Sequence, residues 1–244
     1  MKKIILFSLF IVLAATQVIA QTKAKPKSSK ELDPFSLIVS ASSSWSIFTN
    51  PQTAGNTFTQ AKQLNGWAFS ITGNWPLAKS FDFQAGVKLI QKGSGVNADT
   101  PYYHIYSRSR PMYIELPFML EYTYQLNKDF KLFAGAGVYV AMGAGGKTSY
   151  SGTTGQLGVE GSVGGNDKIL WGNPGSGYVQ PKTYVNMNKF DYGLTGQIGV
   201  QYWKIRLSLG YEQGLNNVGY TGSINVPDPN AKNKTIALTL GVKF

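Results

Sequence analysis

Six charged side chains stand out by their placement. Asp82, Lys88, Glu115, Glu121, Arg206 and Glu212 each occupy a polar position in a stretch that alternates apolar and polar residues. Successive side chains of a β-strand point to opposite faces, so all six share the polar faces of their strands. Four acids and two bases enclosed together must pair or be hydrogen-bonded, because an isolated buried ion costs several kcal/mol. Such residues can form an ion-pair network or a path for protons or ions. Catalysis has less material. His104 is the only histidine, Ser107 and Ser109 follow it closely, and there is no cysteine. A triad of His, Ser and an acid needs all three within hydrogen-bond reach, and nothing in the spacing provides that. No glycine-rich fingerprint follows a strand and opens a helix, so no nucleotide or other cofactor is expected.

The elements that must position these charges are eight alternating segments, at roughly 34–48, 64–76, 81–93, 111–125, 130–145, 189–202, 205–216 and 234–244. In the third, Phe81, Phe83, Ala85, Val87 and Leu89 oppose Asp82, Gln84, Gly86 and Lys88. In the last, Ile236, Leu238, Leu240, Val242 and Phe244 oppose Thr235, Ala237, Thr239, Gly241 and Lys243. Short connections (77–80, 126–129, 203–204) alternate with long gaps at 49–63, 94–110, 146–188 and 217–233. Aromatic residues cluster at strand ends. Trp75, Phe81, Tyr124, Phe130, Tyr202, Trp203 and Phe244 lie at the short-turn end, and Trp45, Phe48, Trp67, Tyr102 and Tyr103 lie towards the long gaps. These are the marks of an all-β, eight-stranded antiparallel up-and-down transmembrane β-barrel with short periplasmic turns and long extracellular loops. A lipocalin-like soluble barrel is the alternative. Only 14% of residues are charged, against about 25–35% on a soluble surface, so lipid is the better cover for the apolar faces. Eight strands enclose a space just filled by side chains, which favours a plugged lumen over an open path. Gly135, Gly137, Gly143 and Gly145, on the polar face of the fifth segment, would make room for large neighbours or allow curvature.

Lys2 and Lys3, the apolar run Ile4 to Ala15 and Val18-Ile19-Ala20 predict a cleaved signal peptide over residues 1–20. Lys23, Lys25, Lys27 and Lys30, interspersed with Pro26 and serines, predict a basic periplasmic linker over 21–33, leaving 34–244 as the barrel domain of the cell outer membrane. The net charge of +11 suits an anionic surface. For an exported chain that means outer-membrane lipid or surface polysaccharide, not nucleic acid. Gly152, Gly155, Gly158, Gly161 and Gly164 recur every third residue in the third gap. This gap is either a flexible or β-extended surface loop or a presentation loop, with Tyr150, Trp171, Tyr178 and Tyr184 as candidate contacts to a protein or glycan.

Taken in order, Val87 to Gly95 (VKLIQKGSG), Tyr113 to Tyr122 (YIELPFMLEY), Leu132 to Val140 (LFAGAGVYV), Phe190 to Tyr202 (FDYGLTGQIGVQY) and Leu209 to Val218 (LGYEQGLNNV) resemble the PorT-like outer-membrane β-barrel family of Bacteroidota. The third gap is longer than that family leads one to expect. The resemblance implies a barrel without a defined activity, and the family's eponymous member is tied to protein secretion. The expected function is therefore a non-enzymatic outer-membrane scaffold or interaction protein. An accessory factor of a type IX, gliding-type secretion machine and a lipid-modifying enzyme are the alternatives. The terminal strand ending on Phe244 also resembles the signature by which barrel-assembly machinery recognises its clients.

Overall fold

Period-two alternation becomes a closed ring of strands. The computed structural model describes residues 35–49, 58–100, 103–156, 159–172, 186–218 and 231–244. Its strands are β1 (Ser36–Thr49), β2 (Phe58–Ala78), β3 (Phe81–Gln91), β4 (Ser94–Thr100), β5 (Tyr103–Gln125), β6 (Phe130–Gln156), β7 (Val159–Lys168), β8 (Leu170–Trp171), β9 (Asn186–Met187), β10 (Phe190–Tyr202), β11 (Ile205–Gly214) and β12 (Lys232–Lys243). Eight of them pair antiparallel around a circle, in the order β1, β2, β3, β5, β6, β10, β11, β12 and back to β1. No strand edge in the ring is left unpaired, which lipid demands because hydrocarbon cannot hydrogen-bond a bare backbone. The proposed signal peptide and basic linker lie outside the described residues.

The apolar alternates face lipid. Ile71, Val87, Leu120, Val138, Ile198, Leu209 and Leu240 are all exposed on the outer wall. In β12, Ile236, Leu238 and Leu240 point outward while Thr235 is buried, and Phe244, just beyond the strand, is exposed as well. At the periplasmic rim Phe35 stacks near Trp75 (5.1 Å) and Phe81 near Tyr122 (5.1 Å). These rings form the interfacial girdle of a membrane barrel. Trp203, in the two-residue turn between β10 and β11, has a φ of 53°. An L-residue rarely accepts this conformation, but it presents the indole at that rim.

Four details differ from the sequence expectation. The first and second gaps are not loops throughout: β2 begins at Phe58, and after a break at Lys92 and Gly93 the chain resumes as β4, which pairs with β2 and β5. The third gap is also largely strand, since β6 runs on to Gln156 and turns back as β7. Above the membrane both strand faces are polar and glycine-rich, so no apolar period marks them. Phe48 is buried inside the molecule instead of joining an outer girdle. Finally, Ala144 is an extra residue in β6, because Met112 faces Gly145 while Tyr113 faces Gly143. A β-bulge of this kind shifts the alternation by one residue. Gly145 therefore leaves the inner face that Gly135, Gly137 and Gly143 share.

Candidate functional site

The inner wall carries two charge clusters at different depths. The upper one is built by β3, β5, β10 and β11. Lys88 lies in register with Glu115 and forms ion pairs with Glu115 and Glu212. Just beyond the end of β3, Lys92 places its Nζ 2.9 Å from Glu115 Oε2, 3.1 Å from Glu212 Oε2 and 3.9 Å from Asp191 Oδ2. The same Nζ sits 4.2 Å above the centre of the Tyr139 ring. Tyr139 OH and Asn233 Nδ2 both donate to Asp191 Oδ2, at 3.1 and 2.8 Å. Two ammonium groups thus face three carboxyls. Lys92 is 2% exposed and Glu115 0%, so the pairs are held away from water, where each ion depends on its partners.

The lower cluster lies towards the periplasm. Arg206 Nη2 donates to Glu121 Oε2 at 2.6 Å, and its guanidinium stacks 3.8 Å from the Phe133 ring centre. Gln197 Nε2 also donates to Glu121 Oε2, at 3.0 Å. Nearby, Gln84 Nε2 donates to Asn74 Oδ1 at 2.9 Å. Room for Phe133 comes from Gly199, whose added Cβ would lie 2.5 Å from the ring. Between the clusters is a cavity of about 100 Å³, lined by hydroxyls such as Ser40, Ser42, Ser70 and Thr72.

A third layer lies on the extracellular side of the upper cluster. Phe48, Ile169, Met187, Val218 and Ala231 form an apolar cluster, against which Trp171 packs. Trp171 also meets Tyr113 edge-on at 5.2 Å, which joins this cap to the apolar residues around Lys92. Gly143 makes the contact feasible, because any Cβ there would run into the indole. Ile169, Trp171 and Met187 of the third long connection therefore pack back against the barrel.

Of the six charges singled out in the sequence, Lys88, Glu115 and Glu212 meet in the upper cluster and Glu121 and Arg206 in the lower one. Asp82 stands half-buried at the periplasmic end, in register with Glu121. Lys92 and Asp191 were missed. Lys92 continues the even-numbered series Asp82 to Lys88, but the apolar Ile90 interrupts it. Among the candidate loop contacts, Tyr150 is half-buried in β6 and Trp171 is turned into the cap. Tyr178 and Tyr184 lie outside the described residues. His104 is exposed on β5, in register with Asp99 and Thr153. Ser107 and Ser109 alternate to the other face of that strand, and Ser109 is buried against Thr148 (3.1 Å). The serines and the histidine that could have formed a triad thus point to opposite sides.

Sealed strand edges, a lipid-facing apolar wall and a polar lumen that holds the ion pairs define a small integral outer-membrane β-barrel. The chain belongs to the outer membrane protein beta-barrel domain family, whose model matches residues 35–219. No curated protein matches it. Among solved structures it is similar to Neisserial surface protein A (12% identity, 88% of this chain and 100% of that chain, TM-score 0.39). It is also similar to the attachment invasion locus protein Ail of Yersinia pestis (12%, 87% and 100%, 0.37) and to OprG of Pseudomonas aeruginosa (10%, 87% and 97%, 0.41).

Proposed function

We propose that this protein is a non-enzymatic outer-membrane scaffold with a closed lumen, which presents its β6–β7 hairpin to a partner outside the cell. The observation that carries the proposal is the three-layer filling of the lumen. The apolar cap, the Lys88–Lys92 cluster and the Glu121–Arg206 cluster occupy three successive levels of the lumen among the described residues, with a hydroxyl-lined cavity between the two charge clusters. A channel would need a continuous hydrated path, whereas a rigid, filled barrel suits a display platform. The ordered segments from Val87 to Val218 support a PorT-like member within the family.

Conductance tests the closed lumen. In planar bilayers the purified protein should show no steady current, and a persistent open-channel conductance would contradict the plug. The display role is tested by replacing residues 151–166 with a short Gly–Ser turn, which spares Ile169 to Trp171. The trimmed barrel should fold and lose the proteins that copurify with the parent from detergent-solubilised membranes. An unchanged set of partners would exclude the hairpin as the contact. Assembly is a separate matter. Phe244 ends the outward row of β12, and we expect Phe244→Asp to reduce the folded fraction several-fold. Heat-modifiable migration on gels measures this, and a normal folded band would remove Phe244 as an assembly signal.

A further inference from the structure

The bulge at Ala144 has a second effect: it moves Lys147 to the outer surface. There Lys147 pairs directly with Arg110 of β5 on one side and Lys168 of β7 on the other. Directly paired residues of antiparallel strands project to the same face, with Cβ atoms about 4.5–5.5 Å apart. Three cations therefore stand abreast, all exposed. Arg108 lies two residues along on the same face of β5, and Lys62 faces it across Gly95. Both reach over the Tyr106 ring, Arg108 at 4.6 Å and Lys62 at 5.4 Å from its centre. Gly95 leaves room for that ring, since an added Cβ would lie 2.9 Å from the Tyr106 hydroxyl. Like charges directly opposite one another destabilise a sheet, and an anion bound among them would relieve that repulsion. Among the described side chains of these strands no acid stands in the group: Asp167 alternates to the other face beside Thr148, and the backbone register sets Asp99 and Glu160 at the far tip, opposite His104 and Gly155.

The height of the patch identifies the anion. From Tyr124 at the periplasmic rim to Ile114, β5 rises ten residues. At ~3.3 Å per residue and a tilt of ~40°, that spans about 25 Å, the height of the apolar band of a membrane barrel. Arg110 is the next outward residue but one and stands immediately above that band, with exposed Leu170 following Lys168 on the same face. We infer that Lys62, Arg108, Arg110, Lys147 and Lys168 form a site for the phosphates of an anionic glycolipid of the outer leaflet. Its acyl chains would lie against the apolar wall below. Arginine suits the task because its planar fork engages phosphate oxygens in pairs.

The test uses the folded full chain in neutral detergent, titrated with bisphosphorylated lipid A and read by native mass spectrometry. The parent should bind the lipid. A triple variant, Arg110→Gln, Lys147→Gln and Lys168→Gln, should bind at least tenfold more weakly, whereas Lys128→Gln at a periplasmic turn should match the parent. Fully dephosphorylated lipid A should bind the parent as weakly as bisphosphorylated lipid A binds the triple variant. Lys147→Glu serves if the triple variant does not fold. It should abolish lipid binding while raising the lipid-free thermal midpoint, since it replaces two repulsions with two attractions. Equal lipid A binding by the parent and either variant would overturn the assignment. So would equal binding of phosphorylated and dephosphorylated lipid A. Equally tight, charge-dependent binding of a heparin-type oligosaccharide would make the patch a glycan site instead.

Discussion

Replacement of Lys92 by methionine is expected to destabilise the folded barrel by about 3–5 kcal/mol, the usual cost of removing one partner from a buried ion pair. Methionine is close to lysine in length and fills the space beside Tyr139 and Tyr113, so little of the loss would come from a cavity. What remains is electrostatic. Lys88 alone would have to serve Glu115 and Glu212, and Asp191 would keep only its hydrogen bonds from Tyr139 and Asn233. Urea unfolding in short-chain lipid vesicles, followed by tryptophan fluorescence, measures the effect. Adding Asp191→Asn to Lys92→Met should recover part of the loss, because it removes a carboxyl that has lost its cation. A change below about 1 kcal/mol, the range of solvent-exposed pairs, would mean that water reaches the cluster.

Arg206→Met should cost about 3 kcal/mol or more by the same mechanism. It takes the closest cation from Glu121, 0% exposed, leaving Gln197 as its hydrogen-bond donor among the described residues, and it removes the guanidinium that stacks on Phe133. The two losses should add. Glu115 and Glu121 are six residues apart on β5, about 20 Å at the rise of a strand. Coupling between sites normally fades beyond 7–10 Å. The double variant should therefore fall within about 0.5 kcal/mol of the sum. A larger departure would show that the hydroxyl-lined cavity between the clusters transmits charge from one to the other.

Most of the transmembrane architecture was legible in the sequence, because lipid imposes a strict period. Phe81 to Leu89 and Ile236 to Phe244 must alternate to satisfy hydrocarbon outside and a polar interior within. The constraint lapses above the membrane. There β4, the upper half of β6 and β7 are rich in Gly, Ser and other polar residues, and their hydrogen bonds hold them together without an apolar stripe to announce them. Sites built from a strict continuation of the alternation were legible for the same reason, as with Lys88, Glu115 and Glu212. Those that depend on a local departure were not. Lys92 lies beyond an apolar Ile90 and at a break between strands, and Lys147 changes sides because of one extra residue at Ala144. Neither departure has a sequence signature, since a bulge is set by how two strands fit together.

The ring closes where β1 meets β12, with Ile38 opposite Lys243 and Thr49 opposite Lys232. That seam joins segments almost a whole chain length apart, so its loop-closure entropy is not regained until every intervening strand has been placed. Any earlier intermediate has two open edges, whose amides and carbonyls the hydrocarbon cannot satisfy. A half-built sheet therefore cannot wait inside the bilayer for its last strand. Insertion and closure must be nearly one event, slow and cooperative, and the unfinished chain must be kept in water or on a helper until β12 is at hand.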